Sequence, residues 1–190
     1  MVQAWKLTES VLESSTNAHH RKPQNNEEIN LKTLENFGIF YQKLDLGTHD
    51  TYDENNPALS DYRKNNDYQF ADILTVSKEC LKNYDETLKC FYNEHFHPDD
   101  ESRYVLEGAG YFDVRNENDE WIRVRIEKGD LITLPAGMYH RFALDEDQQF
   151  LKTVRMFVSE AMWTPIYRPN KDHFIRKEYL KKYNINISDQ

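Results

Sequence analysis

The sequence contains 190 residues, enough for one domain with a substantial core and too few for two ordinary domains. Its 24 Lys and Arg residues against 33 Asp and Glu give a net charge of -9, which argues against a general attraction to nucleic acid or anionic lipid. Hydrophobic residues make up 38% and aromatic residues 13%, so aromatic side chains supply much of the core volume. We therefore expect a globular protein with a small-molecule or protein partner.

Cysteine usage and the lack of long apolar segments indicate a cellular location. Cys80 and Cys90 have no C-x-x-C spacing, and unpaired thiols are typical of a reducing compartment. No stretch resembles a signal peptide or reaches the roughly 20 apolar residues that span a bilayer. We expect a cytoplasmic protein without a membrane partner, small enough to occur in the nucleus as well.

The first part of the chain, residues 1–83, is predicted to be largely helical. Residues 2–7 alternate weakly and suggest a short edge strand, and residues 8–26 are a polar surface loop without an assigned function. Apolar spacing and capping residues then predict helices over 27–37, 56–66 and 70–81, with a strand over 39–44.

After Asn83 the pattern becomes that of a β protein. Short alternating runs are separated by turn residues at 116–120, 128–129 and 135–137; the runs cover 88–92, 102–107, 110–115, 121–126, 130–134, 140–145 and 152–158. Such spacing predicts an antiparallel sandwich or barrel over about 84–169. Residues 171–184 predict a helix within a C-terminal tail, 170–190. The fold class is therefore mainly β (α+β), in one domain, with short N-terminal helices and a C-terminal helix.

A dense cluster of potential metal ligands lies at the centre of this β region. His95 and His97 are two residues apart, so on a strand their rings leave the same face. Glu101 follows a Pro-Asp-Asp bend and can turn back toward them. His140 follows a second tight bend at Pro135 to Gly137 and would arrive on another strand. We therefore predict that these four side chains bind one metal ion.

The donor set indicates which metals suit the site and whether the site is structural or catalytic. Three imidazoles and a carboxylate, without thiolate, disfavour a closed structural zinc site and suit iron(II), nickel(II) or manganese(II). Four protein ligands leave two positions of an octahedral ion for water or a bidentate substrate, which is a catalytic arrangement. A lone histidine would more often be an ordinary core or surface residue; the combined spacing favours the metal site.

The same spacing resembles the paired motifs of the cupin superfamily. His95, His97, Glu101 and Gly108 match the first motif, and Gly129, Pro135, Gly137 and His140 match the second. Two positions depart from the pattern: Lys89 replaces the opening glycine of the first motif, and Leu144 replaces the closing asparagine of the second. Neither position supplies a ligand, so the metal prediction is unaffected.

Longer segments resemble the acireductone dioxygenase family, particularly its eukaryotic branch. They are residues 1–5, 41–45, 91–104, 110–115, 134–142, and Trp163-Thr164-Pro165 ahead of Arg168-Pro169. The resemblance implies an enzyme of methionine salvage that cleaves 1,2-dihydroxy-3-keto-5-methylthiopentene with O2. With Fe(II) the family forms formate and 4-methylthio-2-oxobutanoate; with Ni(II) it forms formate, carbon monoxide and 3-methylthiopropanoate. It also implies one Fe(II) or Ni(II) per chain, held by His95, His97, Glu101 and His140.

Further residues are candidates for substrate binding. Arg103, two residues beyond Glu101, can present a fixed positive charge to the substrate oxygens or form a structural salt bridge. Phe91 and Phe142 flank the ligands and can form an apolar wall or simply pack in the core. Asp100 can orient a ligand or a water. The family resemblance adds Arg155 and Trp163 as pocket residues.

Two other functions are compatible with the motifs. One is a non-catalytic cupin interaction module in which a metal only stabilises the fold; it would need neither an open coordination position nor an adjacent arginine. The other is a different cupin dioxygenase with the same ligands, which would not share the N-terminal segment or the region of Trp163. No feature of the sequence defines a dimer interface, and we expect a monomer.

Overall fold

The structure, a computed structural model, describes residues 3–7, 22, 27–44, 56–159 and 164–186. Within these residues the strands are β1 Gln3–Lys6, β2 Glu28–Ile29, β3 Phe40–Lys43, β4 Phe70–Val76, β5 His95–Phe96, β6 Glu101–Arg115, β7 Trp121–Glu127, β8 Asp130–Leu134, β9 His140–Leu144, β10 Leu151–Phe157 and β11 Ile166–Tyr167. The helices are α1 Leu31–Glu35, α2 Pro57–Asn65, α3 Tyr84–Tyr92 and α4 Phe174–Lys182. The strand pairs are antiparallel, so the predicted mainly β class is confirmed.

Strand β6 belongs to both sheets of the fold. Its first half pairs with β8 and β10, and its second half pairs with β7 and β9. The change of partners falls near Gly108, which has φ +83°, and the register with β10 shifts at Lys152 and Thr153. A Cβ at Gly108 would lie 2.0 Å from the carbonyl oxygen of Phe150. The sequence predicted two strands over 102–107 and 110–115; the structure joins them into one bent strand.

The remaining strands extend from β6 in two directions. One sheet runs β11-β5-β9-β6-β7-β1-β2, and the other contains β3, β8, β6, β10 and β4. Side chains from both sheets form one buried cluster, which includes Val105, Val124 and Ile132. Apolar residues on the facing sides of two sheets are thereby removed from water together. Helix α4 covers one part of this core through Tyr179.

The predicted helix over 70–81 is wrong, because residues 70–76 form strand β4. All seven of its residues pair with β10, from Phe70 opposite Phe157 to Val76 opposite Leu151. The apolar residues fit helical spacing, but a run containing Ile73, Thr75 and Val76 also suits a strand, and pairing with β10 decides between the two.

The predicted strand over 88–92 is also wrong, because these residues end helix α3. A short apolar run cannot be assigned to strand or helix by periodicity alone. Asp85 and Glu86 lie in the first turn and Lys89 in the last, which matches the helix dipole. Residues 1–83, which we expected to be largely helical, contribute β1 to β4 alongside α1 and α2.

Several local predictions are confirmed with adjusted boundaries. The strand within 39–44 and the helix within 56–66 form, and the side chain of Asn56 accepts bonds from the first turn of α2. The helix predicted over 27–37 is shorter, because residues 28–29 pair with β1 and Asn30 caps α1. Strand β1 is therefore not at the sheet edge, since it pairs with both β2 and β7.

The remaining predictions concern the C-terminal helix, the polar loop, the cysteines and membrane spans. The C-terminal helix forms as α4, inside the predicted 171–184 range. The polar loop at 8–26 lies outside the described residues, apart from Lys22. Cys80 and Cys90 are both free and exposed. In the part of the chain that the structure describes, no helix is long and apolar enough to span a membrane.

Candidate metal centre

Strand pairing brings the three predicted histidine ligands together. His95 begins β5 and lies directly opposite His140, the first residue of β9, while His97 follows β5 immediately. The ring centroid of His95 lies 5.0 Å from that of His97 and 4.6 Å from that of His140. One potential ligand atom from each residue lies within 4.8 Å of the others. This triad could hold a metal ion.

Backbone carbonyls fix the orientation of two of these imidazoles. Nδ1 of His95 donates to the carbonyl of Asn93 at 2.6 Å, and Nδ1 of His140 donates to that of Met138 at 2.9 Å. Since a carbonyl only accepts, Nδ1 carries a proton in each ring, and in the neutral imidazole Nε2 keeps its lone pair. Burial lowers the pKa of His95 to about 4 and that of His97 to about 3. Neutral imidazoles are the form that binds metal.

Glu101, the first residue of β6, faces the triad. Its Oε2 lies 2.8 Å from Nε2 of His140 and 3.5 Å from Nε2 of His97. Oε2 of Glu101 and Nε2 of His140 are buried, yet neither makes a hydrogen bond of normal geometry to a described residue. With His140 neutral, these are two electron-rich atoms held close together, and a positive charge between them would stabilise the pair. A divalent cation bound by the four side chains fits this arrangement.

Arg103 neutralises the other side of the Glu101 carboxylate. Its guanidinium Nη2 lies 2.8 Å from Oε1 of Glu101, and its Nη1 donates to the carbonyl of Ser102. Burial alone would raise the pKa of Glu101, but the positive charge of Arg103 leads the contributions that outweigh burial and hold that pKa well below its usual range. Burial lowers the pKa of Arg103 to about 10, so it remains charged at neutral pH. The carboxylate is therefore ionised and available as a ligand.

The turn at residues 135–137 fixes the approach to β9. The backbone N–H of Gly137 donates to the carbonyl of His97 at 3.0 Å, and that of Ala136 donates to Oδ1 of Asp100 at 2.8 Å. Arg176 of α4 donates to the carbonyl of Gly137. A Cβ at Gly137 would lie 2.7 Å from the carbonyl oxygen of Ile175, so this close approach requires glycine. Asp100 thus connects the loop after His97 to the turn before His140.

A cavity of about 360 Å³ opens onto the histidines and Arg103. Phe91 of α3 and Phe142 of β9 both line it, with ring centroids 6.3 Å apart in an edge-to-face arrangement. The remaining lining is mainly apolar: Leu74, Val76, Cys90, Phe112, Ile126, Leu151, Thr153, Pro165 and Tyr167, together with Arg155. The cavity therefore places a cationic, ligand-rich end beside an apolar wall.

Not all predicted pocket residues lie in the cavity. Arg155 does, and its Nε donates to Oδ1 of Asp72 at 2.7 Å. Asp100 is exposed and does not line it. Trp163 lies outside the described residues.

Sequence reasoning missed the lining residues on β4 and β11. Leu74 and Val76 belong to the segment assigned to a helix, so its strand pairing with β10 was the missing signal. Tyr167 reaches the cavity because β11 pairs with β5, where it lies opposite His95. A two-residue strand leaves no periodic signal in the sequence.

Comparison with known proteins gives consistent matches along the chain. Residues 3–165 match the ARD/ARD′ family. The chain is 48% identical over 182 residues to an acireductone dioxygenase of Rattus norvegicus, covering 95% of this chain and 97% of the relative. It is 46% identical over 181 residues to one of Gallus gallus, covering 95% and 96%. The structure of an acireductone dioxygenase from Bacillus anthracis, with a cadmium ion in its active centre, matches with a TM-score of 0.66 and 26% identity, covering 88% of this chain and 98% of that one.

Added divalent metal is expected to stabilise the folded protein. An ion that binds only the folded state at one hundred times its Kd adds about 2.7 kcal/mol to the free energy of unfolding. Thermal melts of metal-free protein with and without Ni(II) measure this as a rise in Tm. His97→Ala should abolish the rise in Tm. His173→Ala should retain it, because Nδ1 of His173 only accepts a hydrogen bond from the backbone N–H of Ile175 at the start of α4. An equal rise in the His97 variant would place the binding site elsewhere.

Proposed function

This chain belongs to the ARD/ARD′ family of acireductone dioxygenases, and on that premise we propose how its side chains carry out the reaction. As an enzyme of methionine salvage, it acts on the acireductone 1,2-dihydroxy-3-keto-5-methylthiopentene with O2. We propose one Fe(II) or Ni(II) per chain, with His95, His97, His140 and Glu101 as its ligands. The observation that carries this proposal is the buried carboxylate oxygen of Glu101, 2.8 Å from Nε2 of His140 without a hydrogen bond of normal geometry.

When bound, the divalent ion supplies positive charge that stabilises the ionised enediol of the substrate. Arg103 adds a second, fixed positive charge at the same end of the cavity. A guanidinium offers donors in a rigid fork, which suits a planar group bearing several oxygens. Since Nη2 of Arg103 also contacts Glu101, Arg103 both orients that carboxylate and attracts the substrate oxygens toward the histidines.

The apolar part of the cavity suits the other end of the substrate. Phe91 and Phe142 are only partly buried, and both face the cavity together with Leu74 and Ile126. A methylthio tail loses contact with water there and can place its sulfur against aromatic ring edges. Because one end of the cavity is cationic and the other apolar, the substrate binds in one orientation, with its reacting carbons at the metal centre.

Product analysis tests the function. Metal-free protein loaded with Fe(II) should consume O2 with synthetic acireductone and release formate and 4-methylthio-2-oxobutanoate. The same protein loaded with Ni(II) should release formate, carbon monoxide and 3-methylthiopropanoate. Turnover no faster than the spontaneous oxidation of the substrate would leave only a metal-stabilised cupin without catalysis. A keto acid and formate as products would exclude a different cupin dioxygenase.

Removing Arg103 should separate catalysis from metal binding. Arg103→Ala leaves the three histidines and Glu101 in place, and a bound cation would itself keep Glu101 ionised, so the metal content of the loaded variant should match the wild type while kcat/KM falls on the order of 10²- to 10³-fold. Arg155→Ala is the matched comparison, since Arg155 also lines the cavity but pairs with Asp72, and its loss should be smaller. Metal analysis and steady-state kinetics measure both effects. Normal turnover of the Arg103 variant at full metal content would remove Arg103 from the mechanism.

A further inference from the structure

Gly110 occupies a position on β6 where a side chain would point into the cavity. Its register partner on β7 is Ile126, a buried residue that lines the cavity, and its partner on β9 is Leu144. Directly opposed residues project to the same side of a sheet, so the missing Cβ of Gly110 points to the interior. Gly110 is not a cupin motif position, and it has no positive φ that would require glycine for backbone reasons.

The ring of Phe142 fills the space that this missing side chain leaves. A Cβ built on Gly110 would lie 2.6 Å from Cζ and 2.7 Å from Cε2 of Phe142, and 3.0 Å from the carbonyl oxygen of Ala143. The two shortest contacts involve the far end of a rotatable side chain. Phe142 pairs with Phe112 in register and leans along the strand toward Gly110, with the Phe112 ring centroid 5.3 Å away.

We infer that Gly110 is a specificity-determining position, because it lets the end of the Phe142 ring occupy the place of a side chain on β6 and so keeps the apolar end of the cavity open. This inference rests on the proposed function, in which the apolar end receives the substrate tail. A side chain at position 110 would push the ring away from β6, and because Phe142 lines the cavity, we expect the displaced ring to take up cavity space. Gly110 acts through Phe142 and touches neither the reacting atoms nor the proposed ligands.

The effect should depend on the length of the substrate tail. A raised Phe142 ring takes up room needed by the methylthioethyl group of the substrate. A shorter acireductone, in which a methyl group replaces the methylthioethyl group, does not extend into that part of the cavity. Loss of room for about one methylene changes kcat/KM by about tenfold or more in a hydrophobic pocket. Metal binding and the cationic end should be unchanged, since the histidines, Glu101 and Arg103 lie outside the predicted clash.

The test compares two acireductones with Gly110→Ala, loaded with Fe(II) to the same content as the wild type. For the methylthioethyl substrate we expect kcat/KM to fall about tenfold, mainly through KM; for the methyl analogue we expect a change within about twofold. A crystal structure of the variant should show the Phe142 ring displaced toward the cavity. An unchanged ratio between the two substrates, or a ring in its original position, would overturn the inference.

A second variant pair isolates the ring contact. Leucine lacks the Cζ and Cε2 atoms that the new methyl group would strike, so Gly110→Ala should not alter tail selectivity in a Phe142→Leu background. If Gly110→Ala alone fails to fold, the Gly110→Ala, Phe142→Leu double variant should fold with the Tm of Phe142→Leu, because the clash with the ring is gone. A double variant that stays unfolded, or that shows the selectivity change without the ring, would contradict the inference. Wild-type protein inactive on both substrates would instead refute the proposed function.

Discussion

The candidate metal centre and the cavity both depend on strand β6, which belongs to both sheets. Because β6 changes partners near Gly108, its first half can place Glu101 and Arg103 beside the histidines while its second half builds the cavity wall. Gly108 has a positive φ at the change of partners, and a Cβ at this position would lie 2.0 Å from the carbonyl oxygen of Phe150. Any side chain there would be strained and would separate β6 from the segment that leads into β10. Ligand geometry and cavity shape therefore derive from the same backbone feature.

The candidate centre concentrates groups that are unfavourable together without a cation. Burial keeps His95 and His97 neutral, and Arg103 keeps Glu101 ionised. Removing a carboxylate from water costs several kcal/mol, and the positive charge of Arg103 leads the contributions that outweigh this cost and keep Glu101 ionised. The remaining electron-rich atoms, Oε2 of Glu101 and Nε2 of His140, face each other at 2.8 Å. Metal binding would turn this local cost into stabilisation of the fold.

Sequence reasoning reached the candidate centre more reliably than it reached the surrounding elements. Short spacing and turn chemistry bring His95, His97 and His140 together, since both bends carry Pro or Gly at fixed positions. The assignments of 70–76 and 84–92 were wrong because their apolar residues suit both a helix and a strand. Pairing with β10 makes 70–76 a strand, and residues 84–92 form a helix that packs against β9. The position of Phe142 over Gly110 depends on a diagonal contact between strands far apart in sequence, which no local pattern reveals. The single-domain organisation, the monomeric state and the cytoplasmic location stay predictions.

The central claim is that Glu101 joins the three histidines around one ion. A crystal structure of the Ni(II)-loaded protein, with the ion located by its anomalous scattering, tests this most directly. The account predicts one ion coordinated by His95, His97, His140 and an oxygen of Glu101, with Arg103 still in contact with the other carboxylate oxygen. An ion held by the histidines alone, with both oxygens of Glu101 turned to Arg103, would contradict it.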